Sequence, residues 1–186
     1  VNSAPLFFNF LKLYKMSCNI SLGRLEGCKD AVGGLNAIYF INFDDATFAV
    51  DDTTGLATVT ETTPNAYKYD LRGTSTFEQS LTSSRENGTT FVEQTLTVSL
   101  KKQDSTTHKE VKLLAYGRPK VLVEDNNGNV FVMGHEYGSE MNATASSGAA
   151  MGDKSGYELT FVATEKILAP FTTEAIDSTY SVTVGS

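Results

Sequence analysis

Tryptophan is absent from the 186-residue chain, and cysteine and histidine occur only twice each. Two cysteines, Cys18 and Cys28, are too few for a secreted disulfide scaffold. They could pair across a small loop, although two thiols ten residues apart are more often reduced. His108 and His135 supply no HxxxH spacing, and no CxxC pair is present, so the sequence predicts no zinc site. These shortages exclude the disulfide-stapled and zinc-stapled small domains.

Basic residues are also scarce. The 15 lysines and arginines face 22 aspartates and glutamates, which gives a net charge of −7 and a sequence pI near 4.8. This balance argues against binding to a nucleic-acid backbone, because such binding depends on clustered cations. A negative surface can still face DNA in order to repel it and let it slide.

Motifs for catalysis are missing: the chain has no GxSxG, no P-loop and no HExxH. We expect both histidines to be solvated or structural, and the carboxylate pairs Asp44-Asp45 and Asp51-Asp52 to lie in turns. The sequence therefore predicts no enzyme, no catalytic, cofactor-binding or metal-binding residue, and no small-molecule substrate.

The first fifteen residues, VNSAPLFFNFLKLYK, differ from the rest because they contain no acidic residue and have aromatic residues at helical spacing. Their apolar run is too short to span a bilayer, so no membrane partner is expected. Val1 as first residue, with Met16 downstream, suggests a trimmed precursor or an upstream start. We interpret residues 1–15 as an arm that packs either on its own domain or on a neighbouring subunit.

Short apolar or alternating segments separated by turn signals follow this arm, as in LNAIYFINF (35–43) and TTFVEQTLTVSLKK (89–102). With 40% hydrophobic residues and abundant threonine, residues 16–186 predict one mainly β domain, a β-sandwich or barrel. One short helix is expected at about 105–116. Its predicted signals are a capping box formed by Thr107 and Glu110, a left-handed stop at Gly117, termination by Pro119, and an apolar stripe of Val111, Leu114 and Ala115.

The stretch VLVEDNNGNVFVMGHE (121–136) has two interpretations. Oxygen-bearing residues at calcium-loop spacing run from Asp125 to Glu136, but Val130 occupies the sixth position, where such a loop needs glycine. Asn127-Gly128 instead favours a tight turn between two apolar strands. We therefore predict a β-hairpin, followed by a long small-residue loop, Gly138 to Ser155, of the kind that often mediates interactions.

The order of these pieces resembles bacteriophage tail-tube and related tail or connector structural proteins. The resemblance rests on the hairpin near Val121–Met133, Gly134 and Gly138, the small-residue loop, GDKSGYELTF (152–161), Glu165 and Pro170. It also includes the front segment MSCNISLGRLEGCKDAVGGLNAIYFINF (16–43). Together these segments cover about half the chain, whereas the N-terminal arm and residues 51–105 depart from it.

The resemblance implies a β-sandwich or barrel with a flanking helix, assembled into homo-oligomeric, six-fold (hexameric) rings. Such rings stack into a tail tube through long loops and terminal arms, and their inner sheets line a channel for DNA that passes without specific binding. Implied partners are other copies of the chain and further virion tail or neck proteins, in a virion assembled in the host cytoplasm. Alternatives are a neck, tail-terminator or tail-hub ring, or a surface adhesin or carbohydrate-binding module.

Overall fold

The computed structural model describes residues 22–72 and 74–185. The chain divides into two units, residues 1–30 and 31–186. In the first unit, residues 22–30 form neither helix nor strand, and their side chains, including that of Cys28, are exposed. The predicted arm, the predicted boundary at Met16 and the thiol of Cys18 all lie outside the described residues.

The described part of the second unit is built mainly from strands, as predicted. In chain order the elements are β1 (Leu35–Ile41), β2 (Phe48–Val50), β3 (Ala57–Val59), β4 (Asn65–Asp70), β5 (Thr76–Ser84), β6 (Thr89–Lys101), α1 (Ser105–Tyr116), β7 (Lys120–Asp125), β8 (Val130–Met133), β9 (Glu140–Ser146), β10 (Gly156–Glu165), β11 (Phe171–Thr172), α2 (Ile176–Thr179) and β12 (Ser181–Val184).

The strands form two main sheets and a small hairpin. A six-stranded sheet has the order β11-β8-β7-β1-β4-β12, and a four-stranded sheet has the order β5-β6-β10-β9. Strands β2 and β3 pair as the separate hairpin. All described pairings within the sheets are antiparallel except that of β12 with β4.

The main hydrophobic core lies between the two sheets. Alternate residues of β6 and β10 face alternate residues of β1 and β7, because successive side chains of a strand point to opposite faces. Val111 of α1 joins this core, which otherwise consists mainly of Ile38, Phe40, Leu96, Val98, Val121, Val123, Met133, Tyr157, Leu159 and Phe161. Each large apolar side chain buried here stabilises the fold by about 1.5–3 kcal/mol.

A second core covers the other face of the six-stranded sheet. Here Tyr39, Ile41 and Leu122 pack under the β2–β3 hairpin and against Tyr180, which follows α2. Because β1 and β7 are buried on both faces, their sequences are continuously apolar rather than alternating. This explains why LNAIYFI and VLV read as buried strands in the sequence.

The predicted hairpin is confirmed. Val121 pairs with Met133 and Glu124 with Val130, and Gly128 adopts φ +81° in the turn. The Asp125 carboxylate accepts the backbone N–H groups of Asn127 (2.9 Å) and Asn129 (2.8 Å). The oxygen pattern that resembles a calcium loop therefore belongs to a self-capped β-turn.

Helix α1 has the predicted bounds but different caps. Asp104 is the N-cap, and its carboxylate accepts the N–H of Thr107 at 2.8 Å, so the predicted capping box of Thr107 and Glu110 is wrong. Gly117 has φ −87° and does not adopt the predicted left-handed conformation, although its N–H donates to Leu113. Of the predicted stripe, Val111 is buried and Leu114 half-buried, whereas Ala115 is exposed.

The predicted long loop from Gly138 to Ser155 is also wrong. Residues Glu140–Ser146 form β9, which pairs with β10 along its whole length and becomes an edge of the four-stranded sheet. The remaining loop is residues 147–155, in which the Asp153 carboxylate accepts the N–H groups of Ala149 and Ala150. The short helix α2 and the parallel strand β12 are further elements that the sequence did not predict.

Candidate functional site

The four-stranded sheet has one buried and one open face. Its inner residues, such as Leu96 and Phe161, contribute to the main core. The register of the four strands places a second set of residues on the outer face, and most of these residues have hydroxyl or carboxylate side chains. This set comprises Thr76, Glu78, Ser80 and Thr82 of β5, Phe91, Glu93, Thr95, Thr97, Ser99 and Lys101 of β6, Glu158, Thr160, Val162 and Thr164 of β10, and Glu140, Asn142 and Thr144 of β9.

The charge of this outer face is predominantly negative. Its four glutamates, Glu78, Glu93, Glu140 and Glu158, are all exposed. Lys101, near one end of the sheet, is the one cation among the strand residues on this face. A surface with this composition can hydrogen-bond water through its hydroxyl groups but offers little attraction to phosphate groups.

Both outer strands of the sheet present unpaired edges. Strands β5 and β9 are the end strands, and no backbone hydrogen bond to their outward edges occurs among residues 22–72 and 74–185. β5 and β9 run in opposite directions, since each neighbouring pair in the sheet is antiparallel. Exposed edges of this kind can accept a strand from another chain.

The far end of the β5–β6 hairpin is uncovered on both faces. Every residue from 80 to 91 except Ser84 is exposed. Leu81, on the inner face, is 55% exposed, and Phe91, on the outer face, is 40% exposed. The hairpin therefore extends past the core and presents an apolar side chain on each side.

A buried polar network joins the two sheets near the turn that follows β8. Gln94 of β6 accepts the N–H of Gly134 at 3.0 Å through Oε1. Glu165, at the end of β10, accepts the N–H groups of Glu136 (3.1 Å) and Tyr137 (2.9 Å) through Oε1. These contacts satisfy backbone groups of the turn that would otherwise be buried without partners.

His135 lies within this network. Its Nδ1 is 3.5 Å from Oε2 of Glu165, and the two side chains are 9% and 0% exposed. Both atoms lack a hydrogen-bond partner among the described residues. Glu136 lies alongside, and one ligand-type atom from each of His135, Glu136 and Glu165 lies within 4.8 Å of the other two. These three residues could hold a metal ion.

Two lysines act on this region in different ways. Nζ of Lys166 is 2.7 Å from Oε1 of Glu136, and this hydrogen bond lowers the pKa of the Glu136 carboxyl group. Lys120 is buried, donates to the Ala46 carbonyl and lies over the ring of Phe43. Burial lowers the pKa of Lys120. The negative charges of nearby carboxylates, including Glu165, act in the opposite direction and raise this pKa, but they do not outweigh burial.

The sequence-based expectations for these residues were partly right. His108 is exposed in the first turn of α1. Asp51 caps its own turn by accepting the N–H groups of Thr53 and Thr54. The burial of His135 and Glu165 beside each other was missed, because their contact depends on the turn after β8 meeting the end of β10. No local spacing in the sequence signals that meeting.

No family model, no curated protein and no solved structure matches this chain. Among the described residues, no helix has the length and apolar character needed to cross a membrane.

Proposed function

We propose that this chain is a structural subunit of a phage tail, which assembles into rings that stack as a tube and line a passage for DNA. The observation that carries the proposal is the four-stranded sheet, because it combines unpaired edges on both sides with a hydroxyl-rich, acidic open face. Its role in the virion is that of a wall, and its partners are further copies of itself and adjacent tail or neck proteins.

The directions of the edge strands support lateral assembly. In a ring, rotation about an axis roughly parallel to the strands brings β9 of one copy beside β5 of the next. Because β5 and β9 run in opposite directions, this contact continues the antiparallel pattern across the subunit boundary. Such a head-to-tail contact generates a closed ring when the rotation closes, and six copies are the number that the resemblance implies.

The open face of the sheet supports the role of a passage wall. If neighbouring sheets join edge to edge, this face of every copy points to the same side of the wall. Its glutamates repel phosphate groups, and the scarcity of cations removes the contacts that would hold DNA in place. Transit without specific binding follows from that charge pattern.

The uncovered β5–β6 hairpin supports contacts between stacked rings. Leu81 and Phe91 expose apolar area that a single copy leaves in water. Full burial of an exposed side chain of this size contributes about 1.5–3 kcal/mol. A neighbouring ring that covers Leu81 and Phe91 gains roughly half of that for each, because both are already partly buried. The hairpin therefore offers an apolar contact surface for axial stacking.

Electron microscopy of the purified full-length chain tests the proposal. We expect rings or tubes with an axial hole, and a chain that stays a monomer at high concentration would contradict self-assembly. A version starting at Met16 tests the predicted arm, since loss of rings in that version alone would assign assembly to residues 1–15. Rings that do not stack would favour a neck, terminator or hub component over a tube.

Edge variants locate the lateral contact. Asn142→Lys with Thr144→Lys adds two charges to exposed positions of β9 and should abolish rings, because charged residues on an edge strand oppose pairing. The matched control is Ser181→Lys with Thr183→Lys, which adds the same two charges to exposed positions of the edge strand β12 in the other sheet and should leave rings intact. Equal behaviour of the two variants would contradict pairing through β9. Circular dichroism verifies that all variants are folded.

A further inference from the structure

The pair of His135 and Glu165 leaves two buried polar atoms without partners. Nδ1 of His135 and Oε2 of Glu165 are both buried, and neither receives or donates a hydrogen bond among the described residues. Leaving such a group unsatisfied destabilises a fold, and more strongly when the group is charged. Two such atoms side by side therefore indicate that a further group, a proton or a metal ion, satisfies both of them.

The distance between Nδ1 of His135 and Oε2 of Glu165 distinguishes a hydrogen bond between the two atoms from a metal ion bound by both. A charge-assisted N–H···O hydrogen bond has a length of about 2.7–2.9 Å, and the observed separation is 3.5 Å. Two ligands of a tetrahedral ion at bond lengths of about 2.0–2.2 Å lie roughly 3.3–3.5 Å apart. The separation therefore matches two ligands of one ion better than it matches a shared proton.

The orientation of the Glu165 carboxylate also fits a bound metal ion. Its Oε1 atom already accepts two backbone N–H groups, from Glu136 and Tyr137, so Oε2 is the oxygen directed towards His135. Hydrogen bonds that fix a ligating carboxylate from behind are typical of metal centres. The same turn carries Glu136, whose carboxylate lies at the solvent side of the cluster.

The charge of the cluster favours a divalent cation. A metal ion binds its ligands in deprotonated form, so two carboxylates and one imidazole would present a charge of about −2 to the ion. Lys166, paired with Glu136 at 2.7 Å, offsets half of that charge. A divalent ion would offset all of it and would release Lys166 to solvent, where its side chain is already 65% exposed. An imidazole nitrogen among the ligands disfavours Mg²⁺ and Ca²⁺, which prefer oxygen.

We propose that His135, Glu136 and Glu165 bind a divalent transition-metal ion, and that Zn²⁺ suits this ligand set. Three protein ligands leave a fourth position for water on the side of the exposed Glu136. The bound ion would link the turn after β8 to the end of β10 and so fasten the two sheets at this point. Such a site would have no signal in the spacing of histidines and cysteines, because its ligands come from separate elements.

Titration of the full-length, chelator-treated chain with Zn²⁺ tests the proposal by calorimetry, and Co²⁺ supplies an optical signal for tetrahedral coordination. We expect one ion per chain, a rise in the midpoint of thermal unfolding with Zn²⁺, and no comparable response to Mg²⁺ or Ca²⁺. No saturable binding of Zn²⁺ or Co²⁺ would overturn the proposal.

Matched variants assign the ligands. His135→Ala should weaken Zn²⁺ binding by at least about 10–100-fold, the range that loss of an outer-shell partner already causes. His108→Ala, which removes the exposed histidine of α1, should leave binding unchanged. Binding lost equally in both variants, or in neither, would overturn the assignment.

Two further variants remain informative if His135→Ala does not fold. Glu136 is exposed, so Glu136→Gln should preserve the fold while weakening Zn²⁺ binding, whereas Glu140→Gln, at another exposed glutamate, should not weaken it. Lys166→Ala should strengthen Zn²⁺ binding, because it removes the cation that competes for Glu136. Weaker binding in Lys166→Ala would contradict the proposed competition.

Discussion

The side chain of Gln94 and the backbone of Gly134 connect the two sheets through a buried hydrogen bond of 3.0 Å. Gln94 lies on the inner face of the four-stranded sheet and is 0% exposed, with Ala163 of β10 and Gln79 of β5 directly opposite it. Its Nε2 also donates to the Ile167 carbonyl, at 3.4 Å. Gln94 thus contacts both the turn after β8, which Glu165 also holds, and the segment after β10.

Gln94→Leu should destabilise the fold even though it replaces a polar side chain with an apolar one of similar size. The substitution leaves the buried N–H of Gly134 without an acceptor, at a cost of about 1–3 kcal/mol. Chemical denaturation measures the free energy of unfolding. The matched control is Glu93→Gln on the exposed face of the same strand, which should change it by less than about 0.5 kcal/mol. A Gln94→Leu variant as stable as the native chain would mean that this hydrogen bond is dispensable.

Gly138→Ala should destabilise the fold because the residue has φ +76° and no room for a methyl group. An added Cβ would lie 2.6 Å from the Arg118 carbonyl oxygen and 2.9 Å from a ring carbon of Phe43. The left-handed conformation alone costs a non-glycine residue roughly 1–2 kcal/mol, so we expect a loss of more than about 2 kcal/mol.

Thermal unfolding of Gly138→Ala beside Gly152→Ala checks this expectation. A Cβ at Gly152 meets nothing within 4 Å, so its substitution should be nearly neutral. Equal losses in the two variants would show that the cost comes from glycine replacement in general and not from the close approach at Gly138.

Asp125 predicts a specific pH dependence of stability. Burial raises the pKa of its carboxyl group, but hydrogen bonds from Asn129 and Asn127 outweigh burial and lower it overall. The folded state therefore binds fewer protons than the unfolded state between the two pKa values. The contribution of Asp125 to stability is complete above an unfolded pKa of about 3.9, and it is lost as the pH falls through the lower folded-state value.

Asp125→Asn should cost about 1–2 kcal/mol at pH 7, since an amide accepts fewer of the hydrogen bonds in the turn. The difference in unfolding free energy between the native chain and this variant should shrink as the pH approaches 3. Denaturation at several pH values measures that difference, with Asp44→Asn, an exposed turn residue, as the control. A constant difference across this range would contradict the assigned linkage.

The parts of the fold that the sequence predicted are those determined by local chemistry. Asn127-Gly128 between apolar runs specifies the β7–β8 hairpin, because glycine is suited to the positive φ of the turn. The alternation from Val92 to Val98 specifies which face of β6 is buried. Gly117 and Pro119 correctly predicted where helix α1 ends, whereas the predicted capping box placed the N-cap at Thr107 and the observed N-cap is Asp104.

The parts that were missed depend on pairing between distant segments. Strand β9 consists largely of alanine, asparagine, serine and threonine, and most of its side chains are exposed, so burial leaves little apolar pattern in its sequence. Its strand conformation comes from hydrogen bonds to β10. The contact of His135 with Glu165 likewise arises when the turn after β8 meets the end of β10. No spacing rule for metal ligands covers such an encounter.

The acidic face of the four-stranded sheet gives a prediction about DNA that does not require rings. Replacing three of its exposed glutamates with lysine, at Glu78, Glu93 and Glu158, should create binding to duplex DNA where the native chain shows none. The logarithm of the binding constant should fall steeply with the logarithm of salt concentration, with a slope of about −0.9 for each phosphate contact. Fluorescence anisotropy of a labelled duplex across a salt series measures both quantities.

The control for that variant carries the same change of net charge at exposed acidic positions outside the strands of this sheet: Asp44→Lys, Asp52→Lys and Asp177→Lys. If the sheet face is a flat wall along which phosphates can align, its lysines act together and bind more tightly than scattered lysines do. Equal DNA binding by the two variants would mean that net charge alone keeps the native chain from DNA. Binding by the native chain itself would contradict a non-adhesive passage, because its acidic face would then fail to repel the molecule it is proposed to surround.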